Sequence, residues 1–171
     1  MHGRVVDLAL LVAVGVNEEG YREVLAVEPA GGERKEAWRL TRSVVFFLLE
    51  GLIERGLRGV RLVISDDRPS IRQAVTAELS GVRWQRCVVH FERNVLAHLP
   101  QSERKVVAED LREVFAVKRR STAASLSQAF IERYQGRFEK AVQVFAQGIE
   151  EALTTWTSPA ATRDISRART Y

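Results

Sequence analysis

Cysteine is almost missing from this chain. Cys87 is the only one in 171 residues, which excludes an internal disulfide framework and suits a reducing, cytoplasmic setting. Cys87 and His90 have the C-x-x-H spacing of two zinc ligands, but a closed zinc site takes four. His2 and His98 stand apart and no second pair exists, so no zinc site is expected. A glycine-rich phosphate loop is also lacking, which argues against an α/β phosphate-handling enzyme of that kind. Long apolar runs are absent as well. The longest, "SVVFFLLEGLI", is broken by Glu50 and is too short to span a bilayer, so no membrane segment is expected. The opening "MHGRVVDLALLVAVGVNEEG" has one Arg ahead of an apolar stretch, yet it lacks a small-residue cleavage site and alternates like a strand. It reads as folded structure and not as a secretory signal.

The residues present suit one soluble domain with a real core, at 46% hydrophobic and 28% charged. A net charge of +4, drawn mostly from arginine, is modest support for a polyanionic partner. "VDLALLVAVGV" and "YREVLAVEP" are β-rich and separated by "NEEG", so an antiparallel hairpin is expected. A helix should run from about Lys35 to Arg55 and end at Gly56. "VRLVIS" is the next strand. Pro69 then opens a helix whose apolar residues are Ile71, Ala74, Val75 and Leu79, and "GVRWQRCVVHF" is a short strand leading into a helix with His90, Arg93 and Asn94.

From Ser102 onward every periodic run is helical. Val107, Leu111, Val114 and Phe115 form one stripe, and Leu126, Ala129 and Phe130 a second. Phe138, Val142, Phe145, Ile149, Leu153 and Trp156 form the clearest. The expected organisation is a β-rich α/β part over residues 1–100 and a helical part over 101–171, with a seam near Pro100.

Two adjacent acids, Asp66 and Asp67, end the "VRLVIS" strand. In open α/β sheets that edge collects catalytic groups. Because successive strand residues point to opposite faces, the two acids divide the work. Asp67 is placed to cap the following helix and Asp66 to face the cleft. Against this stands the plainer reading that a strand-end aspartate is a cap or loop residue. A magnesium site needs several oxygen ligands. Arg86, Arg93 and Asn94 lie near His90 and could form a phosphate-facing patch with Trp84 as a stacking surface, or simply a solvated helix face paired with Glu92. The basic tail "RDISRARTY" reads as a frayed end.

The ordered set "LLVAVGVNEEGYREVLAVE", "GLIERGLRGVRLVISDD", "SIRQAVTAELSGVRWQRCVVHFERNVLAHLP" and "FEKAVQVFAQGIEEALT" resembles the bacterial Mutator-type insertion-sequence transposases. The most specific piece is W-Q-R-C-x-x-H-x-x-R-N, here Trp84 to Asn94. The resemblance implies a ribonuclease H-like mixed sheet with a helical insertion. It also implies a DDE enzyme in which two aspartates and a glutamate hold Mg2+ or Mn2+ to cut and join DNA in transposition. Asp66 matches the second aspartate, as catalytic residue and metal ligand. Cys87 and His90 match a supporting C-x-x-H pair, and Arg86, Arg93 and Asn94 are the DNA-binding candidates. The implied partners are DNA, as terminal inverted repeats and target, and further copies of the chain or a full-length transposase. The implied location is the cytoplasm, at the nucleoid when bound to DNA.

Departures from the family pattern set further expectations. The first catalytic aspartate should lie ahead of "GRVV" and is expected to be missing, since Asp7 falls inside a strand where the family has no catalytic acid. The glutamate should follow "ARTY" and is expected to be missing too, as is the N-terminal DNA-binding region. The first strand of the sheet is expected to be absent. Ser70 stands where a glycine is often found, and "RLTRSVVFFLLEGL" is longer and more apolar than the family's helix. Together these imply a truncated copy that does not cleave DNA by itself.

Overall fold

The hairpin expected at "NEEG" forms, and Asn17 explains why. In the computed structural model, which describes residues 9–30 and 37–157, the Asn17 side-chain carbonyl accepts hydrogen bonds from the backbone N–H groups of Glu19 at 3.1 Å and Tyr21 at 2.9 Å. An asparagine can thus close a turn on its own side chain. Gly20, at φ +90°, takes the left-handed backbone that L side chains resist. Strands β1 (Ala9–Val16) and β2 (Arg22–Ala30) pair antiparallel on either side, with a bulge at Ala13/Val14. Leu10, Val12, Val14 and Val16 of β1 stay exposed, together with Val24 and Val27 of β2.

Helix α1 (Ala37–Glu54) packs on β2 and on α2 (Pro69–Glu78). Its expected start near Lys35 lies outside the described residues. The apolar excess of "RLTRSVVFFLLEGL" sits in one continuous helix, where Val45, Leu48, Leu49 and Leu52 recur on a single buried face. Phe47, on the other side, is 70% exposed. The helix ends as expected at Gly56, φ +104°. Leu57 N–H reaches Leu52 C=O at 2.9 Å and Gly56 N–H reaches Ile53 C=O at 3.0 Å, which satisfies carbonyls that the helix end leaves open. With the hairpin, α1 and α2 make the first of two units, covering residues 9–30, 37–61 and 68–82 of the described chain.

The second unit holds β3 (Leu62–Ser65) and β4 (Arg83–Arg86), which pair in parallel, and four helices. These are α3 (Val88–Leu96), α4 (Arg104–Ala116), α5 (Arg120–Tyr134) and α6 (Glu139–Ala152), followed by a short 3-10 turn at Thr154–Thr157. Its core is aromatic and aliphatic. Phe91 of α3 stacks on Phe145 of α6 and meets Phe115 of α4 edge-on, and Val95, Val107, Leu111 and Val114 are buried around them. The first and third helical stripes face this core as expected, apart from Trp156, whose side chain lies outside the described residues. The second does not fit as written. Ala129 is exposed, and α5 instead buries Ala123, Ser127, Phe130 and Tyr134, because the true stripe lies one position away on the helix surface.

The described strands form two two-stranded sheets, each with its own helical cover: α1 on β2, and α6 with the 3-10 turn on β4. Phe91 and Val95 draw α3, which precedes Pro100, into the core of the second unit. No described helix is long and apolar enough to cross a membrane. Asp7, His2 and the tail "RDISRARTY" lie outside the described residues.

Candidate active site

Ser65 and Arg86, the last residues of β3 and β4, are register partners. The chain therefore leaves both parallel strands at one edge, with Asp66 and Asp67 on one side and Cys87 on the other. Cys87 N–H closes that edge by donating to Ser65 C=O at 2.7 Å. The carboxyl ends of parallel strands are where ligands gather in α/β proteins, since the strands stop there and helices begin.

Strand alternation distributes the side chains of β4. Trp84 and Arg86 take one face and Gln85 the other. Gln85 is buried, and its Oε1 accepts the N–H of Thr155 at 2.8 Å, tying β4 to the 3-10 turn. On the opposite face, Trp84 Nε1–H donates to Ser65 Oγ at 2.9 Å. The same hydroxyl donates to the backbone carbonyl of Asp66 at 2.8 Å. Trp84 is half-buried and spends its indole N–H inside the protein.

Arg86 corrects an expectation. Far from lining a solvent-facing patch, it is only 8% exposed. Its Nη1 lies 3.1 Å from Asp67 Oδ2, and its guanidinium carbon sits 5.0 Å from the Phe91 ring centroid, a cation–π contact. Gly148 of α6 makes room for it. A Cβ at that position would lie 2.5 Å from Arg86 Nη1 and 2.6 Å from Phe91 Cε2. A buried arginine is held by such a fitted pocket because its charge must be matched.

Asp66 is half-buried at the strand end, with its Oδ1 enclosed and receiving no hydrogen bond. Asp67 forms the ion pair with Arg86. The cap position of α2 falls at Arg68, one residue beyond the expected Asp67, and Arg68 makes no side-chain capping hydrogen bond. Pro69 at the first helical position lacks the N–H that would otherwise need a partner.

Cys87 is the N-cap residue of α3, half-buried, and His90 stands three residues on. Their spacing is that of a capping box, although the Cys87 side chain makes no capping bond. His90, Arg93 and Asn94 are all exposed, at the i, i+3, i+4 spacing of one helix face. Burial pushes the Glu92 carboxyl up on the neighbouring side of α3, and the Arg112 charge offsets part of that rise. Among the described residues no group of three or more His, Cys, Asp or Glu side chains could hold a metal ion. At this edge the Asp67 carboxylate is paired with the Arg86 guanidinium, and Asp66 precedes it at the end of β3.

Sequence reasoning missed Gly148 and Phe91 as partners of this edge. The available signal was a lone glycine inside a strongly apolar helix, which commonly marks a close approach.

A family model described as "Transposase, Mutator family" matches residues 1–168. The chain is 37% identical over 164 residues to the transposase for insertion sequence element IS406 of Burkholderia multivorans, covering 95% of this chain and 40% of that protein. It is 34% identical over 157 residues to the transposase for ISRM5 of Rhizobium meliloti, covering 92% and 38%. To the transposase for IS256 in transposon Tn4001 of Staphylococcus aureus it is 32% identical over 151 residues, covering 87% and 37%. The chain spans about 40% of the length of these curated relatives.

Proposed function

The chain belongs to the Mutator family of transposases, and on that premise we propose that it works on DNA in transposition, with Asp66 as one carboxylate of a divalent-metal centre for strand cleavage and transfer. The observation that carries this reading is the register of β3 with β4. It brings Asp66 and Cys87, the residue that opens α3, to the same carboxyl edge. A ribonuclease H-like fold belongs to the same proposal, supported by the order of elements along the chain: an antiparallel hairpin, a helix, then two parallel strands joined by a helix.

The described residues fit one ligand of such a centre and not the full set. When bound, a pair of Mg2+ or Mn2+ ions would stabilise the attacking and leaving oxygens of an in-line phosphoryl transfer. The chain's own residues do the rest. Asp66 offers its carboxylate, Arg86 removes the competing charge of Asp67, and His90, Arg93 and Asn94 present donors to phosphate on the exposed face of α3. Cys87 supports the edge through its backbone.

A second reading, DNA binding without cleavage, is favoured by the lack of a metal-holding cluster among the described residues. Both readings meet in one experiment. Terminal-repeat DNA is titrated with the purified chain at several salt concentrations, then incubated with MgCl2 or MnCl2. The expected result is binding that weakens as salt rises and no cutting by the 171 residues alone. Efficient cutting that vanishes in Asp66→Ala would discard the second reading, and no binding at low salt would discard both.

A further inference from the structure

The residues around β4 hold two tethers that converge on the chain at Asp66. On one side, Trp84 Nε1–H donates to Ser65 Oγ, which donates to the Asp66 carbonyl. On the other, Arg86 grips Asp67, the next residue along. We propose that Trp84 and Arg86 are positioning residues, a two-point brace that fixes the backbone on both sides of Asp66 and so aims its carboxylate. The proposal rests on the reading of Asp66 as a metal-holding group.

A metal-holding carboxylate must be placed to within about half an ångström, by neighbours that are themselves locked. Asp66 is poorly placed to meet that demand alone, since it follows a strand of only 4 residues at the point where pairing stops. The brace supplies the missing constraint. Trp84 and Arg86 share one face of β4, two residues apart, and each anchor is secured in turn. The far face of β4 is tied down through Gln85 and Thr155. The Arg86 guanidinium lies against the Phe91 ring, with its Nη1 in the space that Gly148 leaves open.

Arg86 also carries a cost that packing does not explain. Its Nε is buried with no hydrogen-bond partner, and an unsatisfied buried donor is destabilising. What the guanidinium returns is geometry, because it neutralises Asp67 and holds it off the carboxylate beside it. Gly148 makes the brace answer to α6, so the seating of the helical region sets the aim of an acid at the end of β3.

The Cys87 amide, whose hydrogen bond to Ser65 closes the edge, reports on the brace without any metal. In the isotope-labelled full chain, Ser65→Ala and Asp67→Asn should each speed its hydrogen exchange about tenfold while amides of α4 and α5 keep their rates. Adding Trp84→Phe to Ser65→Ala should change nothing more, since both break the same relay. Arg86→Lys should retain part of the protection that Arg86→Gln loses. MnCl2 should broaden the Asp66 and Cys87 amide resonances of the wild-type chain. Asp66→Asn should abolish that effect, and the brace variants should need several-fold more Mn2+.

An unchanged Cys87 amide in both Ser65→Ala and Asp67→Asn overturns the brace, and so does exchange that rises equally through the whole unit. Ser65→Ala and Asp67→Asn touch half-buried or exposed side chains, so the test stands even if Arg86→Gln does not fold. Broadening that survives Asp66→Asn overturns the metal assignment and the purpose given to the brace. That failure is distinguishable, because the metal-free exchange results would stand.

Discussion

The hairpin and the helical unit are both rich in apolar residues and obtain different results. Along β1, every residue from Leu10 to Val16 is apolar, and Leu10, Val12, Val14 and Val16 remain exposed. Along α6, Val142, Phe145, Ile149 and Leu153 recur at helical spacing and are buried. Periodicity shows which face of an element is apolar. Whether that face is covered depends on a second surface to close over it, which α6 finds in α3, α5 and β4. The candidate edge belongs to the covered side of this contrast, with β3 and β4 held by buried partners.

The comparison can be broken first in the core. Phe145→Ala should cost about 3–5 kcal/mol in urea unfolding, because a fully buried ring that touches Phe91 and Phe130 leaves a cavity. A loss below ~1 kcal/mol would show that the helical unit is not closed as described.

Gly148→Ala should cost about 1–3 kcal/mol through overpacking against Arg86 and Phe91. In an exposed helix the same change would gain about 1 kcal/mol, so the sign alone, read from thermal unfolding, tests the pocket.

Next comes the link between α4 and α5, where Tyr134 Oη and Arg133 Nη1 both donate to Asp110 Oδ2 at 2.6 Å. Tyr134→Phe should cost about 1 kcal/mol. The pH profile sharpens this. Burial opposes ionisation of Asp110, yet the Tyr134 and Arg133 hydrogen bonds outweigh it and hold the carboxyl below its ordinary 3.8. Stability from this link is full above 3.8 and is lost as pH falls through the lower folded value. Burial and the bond to Asp110 push the Tyr134 hydroxyl up from 10.0 to about 12, so the folded chain keeps a proton that the unfolded chain releases. Stability should therefore fall as pH rises from 10.0 to about 12, and Tyr134→Phe should flatten that slope.

The smallest effect is expected on the hairpin. Val14→Thr, at a position 52% exposed, should change stability by less than about 0.5 kcal/mol. A cost above ~1 kcal/mol would mean that this face is covered in solution.

Much of the local structure was legible because local chemistry fixes it. Asn17 and Gly20 specify the turn, Gly56 the end of α1, and Pro69 the start of α2, each through its own backbone constraints. The position of Asp66 at the end of β3 followed from the same reasoning. Arg86 was misread, because an arginine in isolation reads as surface and only a distant phenylalanine, a distant glycine and the adjoining Asp67 make it a buried one. Trp84 was given a stacking role for the same reason: nothing in sequence spacing shows that its N–H meets Ser65. Ala129 failed because alanine is small enough to sit on either face of α5. The division into sheets also lay beyond local signals, since strand pairing is a long-range choice.

The division into units has a consequence for how the chain can be taken apart. Within the described residues, the chain crosses from one unit to the other at 61–62, 67–68 and 82–83. No single cut yields both units intact. A protease nick in the stretch between Asp67 and Arg83 would leave β3 joined covalently to the hairpin unit while its pairing partner stayed with the helices. Fragments made by trimming the N-terminal region would lose β3, and with it Asp66, before exposing the helical unit as a separate piece. Shortening experiments on this chain therefore need internal excision and religation, as in a circular permutant, and not simple truncation.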